Sequence, residues 1–396
     1  MRSRTVDRAT GFWIVAAVFL TTTAYSTVPT PLYPLYEQRD DFPVSLVTVI
    51  YSSYAVGVML SLYLVGHISD RRGRRPVMVV AVAISALSAV MFLVWPESVG
   101  LIAARLVNGV SIGVVSAAAT AYLGELRALA RPREDPVLAT AIAGAANLGG
   151  LALGPLIGGL CAEFLPDPLV APHVAFLILL VAEAFVLLTV PETVPVRPGG
   201  ERFRLPRLSI PRANRSVFLM AAFGAFAGFA VFGLFSSLIP TFLAGTFGDR
   251  DHLLAGVAVF AIFASSATGQ LALIRSSLRT QLTIATVACG VGLGMVAIGA
   301  VLPQVVLFLG GGVVAGLGVG VLFRGAIATA LAVAEPGRSG ETLALLFLIA
   351  YAGPVIPVLL VGAALAFFPP VVVLLVFAAA VLAATVVAGT VMRRRA

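Results

Sequence analysis

Lysine is missing from this 396-residue sequence, histidine occurs three times and cysteine twice, and only 11% of the residues are charged. Each scarcity excludes something. The two cysteines, Cys161 and Cys289, lie in or near apolar runs without metal-ligand spacing, so neither a disulfide framework nor a zinc site is indicated. His67, His173 and His252 are scattered over loops and run ends, and no nucleophile, metal-ligand or phosphate-cradling constellation accompanies them. A membrane-embedded enzyme or sensor is therefore the weakest reading, and no cofactor or metal is expected. With 60% hydrophobic residues, the chain has too little polar surface to cover a soluble globule of its size. It belongs in lipid.

What charge there is comes with a pattern. The net charge of +8 rests on arginine alone, and a basic total can mark a nucleic-acid binder. Here the placement argues against one. Of 26 arginines, 22 fall in alternate connecting segments: Arg2, Arg4 and Arg8, the cluster at 71 to 75, Arg127 to Arg133, six between 197 and 215, Arg275, Arg279, Arg338, and Arg393 to Arg395. Only Arg39 and Arg250 fall in the intervening loops. This asymmetry follows the positive-inside rule and predicts a multi-pass protein of the cell inner (plasma) membrane with both termini cytoplasmic. The first apolar run leads into eleven others, so it reads as an uncleaved first helix rather than a signal peptide.

Twelve apolar runs are predicted to span the bilayer as helices, centred in the stretches of about 11–33, 44–65, 76–95, 98–123, 137–161, 172–192, 216–240, 253–274, 281–301, 303–333, 341–365 and 369–391. A proline- and arginine-rich segment, 195–215, lacks an apolar run and divides them six and six. The expected organisation is an N-terminal bundle 1–194, a cytoplasmic linker 195–215 and a C-terminal bundle 216–396. Gly109 and Gly113 are echoed by Gly316 and Gly320, and Gly154-Pro155 by Gly353-Pro354, at offsets near two hundred residues, as a duplicated six-helix unit requires.

Three segments carry a more specific signal. Between the second and third runs stands Gly66-His67-Ile68-Ser69-Asp70-Arg71-Arg72-Gly73-Arg74-Arg75-Pro76. Gly66 and Gly73 supply close packing and a turn, Asp70 can accept from backbone amides at a helix N-terminus, and the arginines offer forked donors to carboxylates or lipid phosphates. The fourth run contains Arg105-Leu106-Val107-Asn108-Gly109, and the fifth Gly150-Leu151-Ala152-Leu153-Gly154-Pro155-Leu156-Ile157-Gly158-Gly159, a small-residue seam with a proline kink. Together these resemble the signature loop, the helix 4 motif and the helix 5 antiporter motif of the major facilitator superfamily, in particular its drug- and metabolite-proton antiporters. The copy of the signature loop in the second half is degenerate, with Leu273 where the aspartate stands in the first.

The resemblance implies an all-α membrane protein of twelve transmembrane helices in two pseudo-symmetric six-helix bundles, rocking about a midplane site. It implies a conformational gate of Gly66, Asp70, Arg71, Gly73, Arg74, Arg75 and Glu125, with Glu125 paired to Arg74 and the inner end of helix 11 completing the latch. Gly150, Gly154, Pro155, Gly158 and Gly159 form the antiporter motif.

Charges inside the apolar runs need a reason, because a guanidinium at mid-bilayer costs about 2.5–3.5 kcal/mol on insertion scales. Arg105 is a candidate for coupling or binding, or alternatively for a structural ion pair. Glu183, the only carboxylate deep in a run, is a candidate proton carrier, or a fixed partner of Arg105 or of a backbone group. Arg324 either meets an anionic substrate group or sits at the cytoplasmic gate near Glu335 or Glu341. Tyr25, Tyr54, Asn108, Asn147, Arg324 and Tyr351 are the candidate substrate-binding residues. The hydroxyls of Thr21, Thr22 and Thr23 either face a cavity or back-bond to their own helix. Helix 1 lacks the aspartate that many drug exporters of the family carry. The preferred expectation is proton-coupled export of a small amphipathic drug or metabolite by a monomer in the lipid bilayer, with protons as coupling ion. The alternative is proton-coupled uptake of an organic anion.

Overall fold

The structure is a computed structural model that describes residues 5–65, 69–134, 137–194, 210, 214–335 and 338–394. Among these residues all regular structure is helical. Inside lipid a backbone has no water to bond, and a helix alone satisfies its amides within one segment. The rods are α1 (Arg8–Asp40), α2 (Val44–Val65), α3 (Arg74–Val94), α4 (Ser98–Ala130), α5 (Val137–Phe164), α6 (Ala171–Leu187), α7 (Arg215–Phe247), α8 (His252–Ala272), α9 (Leu278–Val301), α10 (Val305–Val333), α11 (Ser339–Ala364) and α12 (Pro370–Arg393). Eleven are long and apolar enough to cross a membrane, and α6 is an apolar helix of 17 residues. Connecting segments alternate between two ends of the molecule, called here the Asp41 end and the Arg74 end.

Packing repeats with a period of six helices. In the first half α4 packs on α1, α2 and α3, α1 on α5, and α3 on α6. In the second half α10 packs on α7, α8 and α9, α7 on α11, and α9 on α12. The two halves meet along α5 with α8 and α2 with α11, which are equivalent seams under the same shift. Cores accordingly sit mainly within each half, with Val358 of α11 joining the first and Ala152 of α5 the second.

Three local departures from the expected helices have chemical causes. α1 is longer than 11–33 but broken: Pro29 and Pro31 withhold two amide donors, and Thr30–Leu32 tightens into a 3-10 turn before the helix resumes at Tyr33. The regular part of α6 stops at Leu187, five residues short of the expected 192, and the chain beyond is drawn onto the start of α3. Gly353-Pro354 breaks α11 between Ala352 and Ile356, whereas Pro155 leaves α5 continuous. In α11, Gly353 lies so close to the Phe226 carbonyl that no Cβ would fit, and Pro357 restarts the helix within its first turn.

Candidate functional site

At the Arg74 end, Glu192 organises the chain. Its Oε1 accepts from the backbone N–H of Arg74 (2.9 Å), Thr193 (2.9 Å) and Val194 (3.1 Å), and its Oε2 from that of Arg75 (3.0 Å). A carboxylate thus caps the N-terminus of α3, where the helix dipole favours negative charge. Gly73 makes the approach possible. Its φ of 93° suits glycine, and a Cβ there would lie 2.6 Å from Glu192 Oε2. The Arg74 guanidinium, itself buried, binds Glu125 Oε1 at 2.7 Å and Ser69 Oγ at 2.7 Å, while Thr193 donates to Glu125 Oε2 at 2.5 Å. Arg75 reaches the carbonyls of Leu188 and Val190 at 3.3 Å. The pair expected between Glu125 and Arg74 is present, and these contacts all join elements of the first half. Gly66, and the side chains of Asp70 and Arg71, lie outside the described residues, as do 195–209 and 211–213 of the expected linker.

Arg105 on α4 is 1% exposed, and its guanidinium lies over the ring of Tyr54 at 4.5 Å and near that of Tyr51 at 5.9 Å. Its Nη1 donates to the Ser26 carbonyl at 2.5 Å, and among the described residues its Nε has no partner. The α1 carbonyl and the α2 rings replace the counter-ion that a buried cation normally requires. Tyr51 also borders Tyr33 of α1 and Ser236 of α7, and Tyr351 of α11 lies beside Tyr51 and Tyr54. The cluster is therefore walled by both halves.

The remaining candidates fall elsewhere. Tyr25 donates to or accepts from His173 Nδ1 at 3.0 Å, and Tyr36 meets His173 Nε2 at 3.1 Å. The ring of His173 stacks on Phe92 at 4.4 Å. This fully buried imidazole ties together the two arms of the broken α1, a role its position at the start of α6 did not advertise. Glu183 lies further along α6, toward Thr21, with Oε2 unpartnered among the described residues. Glu183 and Arg105 do not meet, which corrects that expected pairing. Asn108 is turned into the first half, its Nδ2 3.4 Å from Ser85 Oγ of α3, and does not join the cage. Arg324 donates to the carbonyls of Gln270 (3.3 Å) and Ile274 (3.4 Å) at the end of α8, a capping position, while Arg338 takes both Glu335 and Glu341. Asn147 is half-buried on α5.

The α5 seam packs on two sides. A Cβ on Gly150, Gly154 or Gly158 would meet α1 backbone carbonyls, of Leu20, Ala24 and Val28 respectively. On Gly159 it would lie 3.2 Å from Gly256 Cα of α8, across the junction of the halves. Thr23 and Thr27 bond within α1 and also reach the Ala146 and Leu151 carbonyls of α5 at 3.3 and 3.2 Å. The back-bonding alternative thus holds for Thr22, Thr23 and Thr27.

The profile of the Major Facilitator Superfamily matches residues 12–356. The chain belongs to the major facilitator superfamily. It is thus a multi-pass membrane protein of a transporter family. Solved structures of this superfamily are similar over almost the whole chain. A variant of the nucleoside transporter NupG has a TM-score of 0.75 at 15% identity, covering 98% of this chain and 99% of that one. A bacterial homolog of the human lysosomal transporter Spinster, solved inward-facing and unoccupied, has a TM-score of 0.70 at 15% identity over 98% and 96%. The human organic anion transporter MFSD10 has a TM-score of 0.69 at 20% identity over 98% and 100%. At these identities the likeness concerns the fold. No curated protein matches the sequence.

Proposed function

We propose that this superfamily member is a proton-coupled exporter of small amphipathic compounds, working by alternating access with the Arg74 end and both termini in the cytoplasm. The observation that carries the reading is the Arg105 cage, a buried charge among tyrosines where α1, α2 and α4 of one half meet α7 and α11 of the other. A ligand held there touches both halves, so its binding free energy can bias their relative position. The arginine excess at the Arg74 end supports the orientation. The glycine seam of α5 against α1 and α8 supports export, and Glu183, with an unpartnered Oε2 inside the first half, is the proton carrier.

An accumulation screen with amphipathic dyes and acids, in cells with and without the protein, tests the reading. Expression should lower accumulation, and a protonophore should restore it. Accumulation that ignores both sinks the proposal. The second reading, proton-coupled uptake of an organic anion, is favoured by the lack of a carboxylate paired with Arg105 among the described residues; expression would then raise accumulation of acids alone.

A further inference from the structure

Among the described residues, three of the buried side-chain polar atoms without a hydrogen-bond partner belong to one cluster: Arg105 Nε, Tyr33 Oη and Ser236 Oγ. They come from α4, α1 and α7, and their residues are 1–2% exposed. Tyr51 connects them, bordering Arg105 and Tyr33 and standing next to Ser236, whose Oγ it approaches without reaching hydrogen-bond geometry. Buried polar groups in folded proteins are nearly always bonded, and each one left without a partner costs about 1–3 kcal/mol. A guanidinium N–H can only donate, and the two hydroxyls are free to donate. The three unmet groups therefore share one requirement, an acceptor. Among the described residues, the ionisable groups near Arg105 include Tyr25, Tyr33, Tyr51, Tyr54 and His173, and no carboxylate forms an ion pair with it.

We propose that Arg105, Tyr33 and Ser236 bind a carboxylate group of the transported molecule, whose apolar body lies against Tyr51, Tyr54 and Tyr351. This deepens the carrier reading above and rests on it. One guanidinium edge and two hydroxyls match a monoanion with two oxygens; a phosphate dianion needs more positive charge than a single arginine supplies. Aromatic faces beside the cation suit a flat or aliphatic body. Ser236 belongs to the second half and the other two donors to the first, so a bound carboxylate ties the halves together at this level.

The test uses the purified full-length protein in detergent and isothermal titration with naphthoate, naphthamide and naphthylmethylammonium. Naphthoate should bind at least about tenfold tighter than the neutral and cationic analogues, the loss expected when a charge-assisted bond is forfeited. Ser236→Ala and Tyr33→Phe should each weaken naphthoate roughly tenfold and change naphthamide less than about twofold. Equal or tighter binding of the ammonium analogue, or binding of none of the three, overturns the proposal. So do variants that melt like wild type and keep its naphthoate affinity. If the variants fail to fold, the wild-type ranking decides alone. Laurate in the same series separates a membrane-derived fatty acid, which would outrank naphthoate, from a free organic acid. Dye export that responds to a protonophore while naphthoate fails to bind would remove the carboxylate site and leave the exporter; the reverse result would remove the exporter and leave the site.

Discussion

Replacing Gly256 by alanine places one methyl group in the seam between the halves, and the obstacles it meets are backbone. A Cβ there would run into the Pro155 carbonyl oxygen and lie 3.1 Å from Gly159 Cα. No rotamer change relieves such a contact, so α5 and α8 must part. Inserting an extra methylene group into a packed interface costs about 1–3 kcal/mol, and here the cost falls only on states in which the seam is closed. Converted at 1.4 kcal/mol per factor of ten, the population of seam-open states should rise by about 5- to 150-fold. Electron–electron spin distance measurements between a label on Cys161, half-buried near the end of α5, and one on a cysteine placed at Asp251 would read the change, with Cys289 replaced by alanine. A longer distance component should grow. Gly57→Ala is the control: its Cβ would meet the Leu106 carbonyl within the first half, so it should lower the melting temperature and leave the distances alone. An unchanged distance distribution in a folded Gly256→Ala protein refutes the claim that this seam parts during the cycle.

Other perturbations test the scaffold. Glu192→Ala strips the cap from α3 and should cost about 2 kcal/mol in denaturant unfolding, with little effect if the four backbone donors find water. A double-mutant cycle on Arg74→Gln and Glu125→Gln should give a coupling of about 1–2 kcal/mol; additivity would mean the pair is solvated. His173→Leu removes the ring nitrogens that the Tyr25 and Tyr36 hydroxyls meet and should cost about 2–4 kcal/mol by thermal melting, whereas His173→Gln should recover part of it. The Asp7 carboxyl sits below its ordinary range because it accepts the Thr10 backbone N–H at 2.6 Å. A depressed folded-state pKa means the cap stabilises α1 above the unfolded carboxyl value and is lost as pH falls through the lower folded one. The protection factor of the Thr10 amide against hydrogen exchange should fall in acid, and Asp7→Asn should make that protection independent of pH.

Much of the architecture could be read from the sequence because lipid simplifies the code. Apolar runs, arginine-bearing loops and glycine spacing each depend on one dominant force, so the rods followed from pattern alone, whereas the Arg74–Glu125 contact was implied by the family resemblance. Side-chain direction did not. Asn108 and Arg105 are three residues apart on α4, yet one turns to Ser85 of α3 and the other to Tyr54 of α2. On a helix that spacing leaves a difference of about 60° in heading, enough to face different neighbours. Arg324 looked equally free to meet an anion or a gate carboxylate, and the α8 carbonyls were invisible as a third partner because backbone acceptors carry no residue signature.

The same blindness hid the centre of the molecule. Tyr33 lies past two prolines, where a sequence reading ends the helix, but the break lets α1 resume inside the protein and return its tyrosines to the cage and to His173. Ser236 on its own says nothing of a site, and only the approach of Tyr51 from the opposite half draws it into the cluster. An intramembrane arginine without an acid nearby is expensive unless something else answers it. In the resting protein two rings and one carbonyl do so incompletely, leaving Nε unmet. That residual demand falls where the two halves join, so a ligand that meets it gains affinity and fixes the junction in the same step, which is what coupling binding to rocking requires.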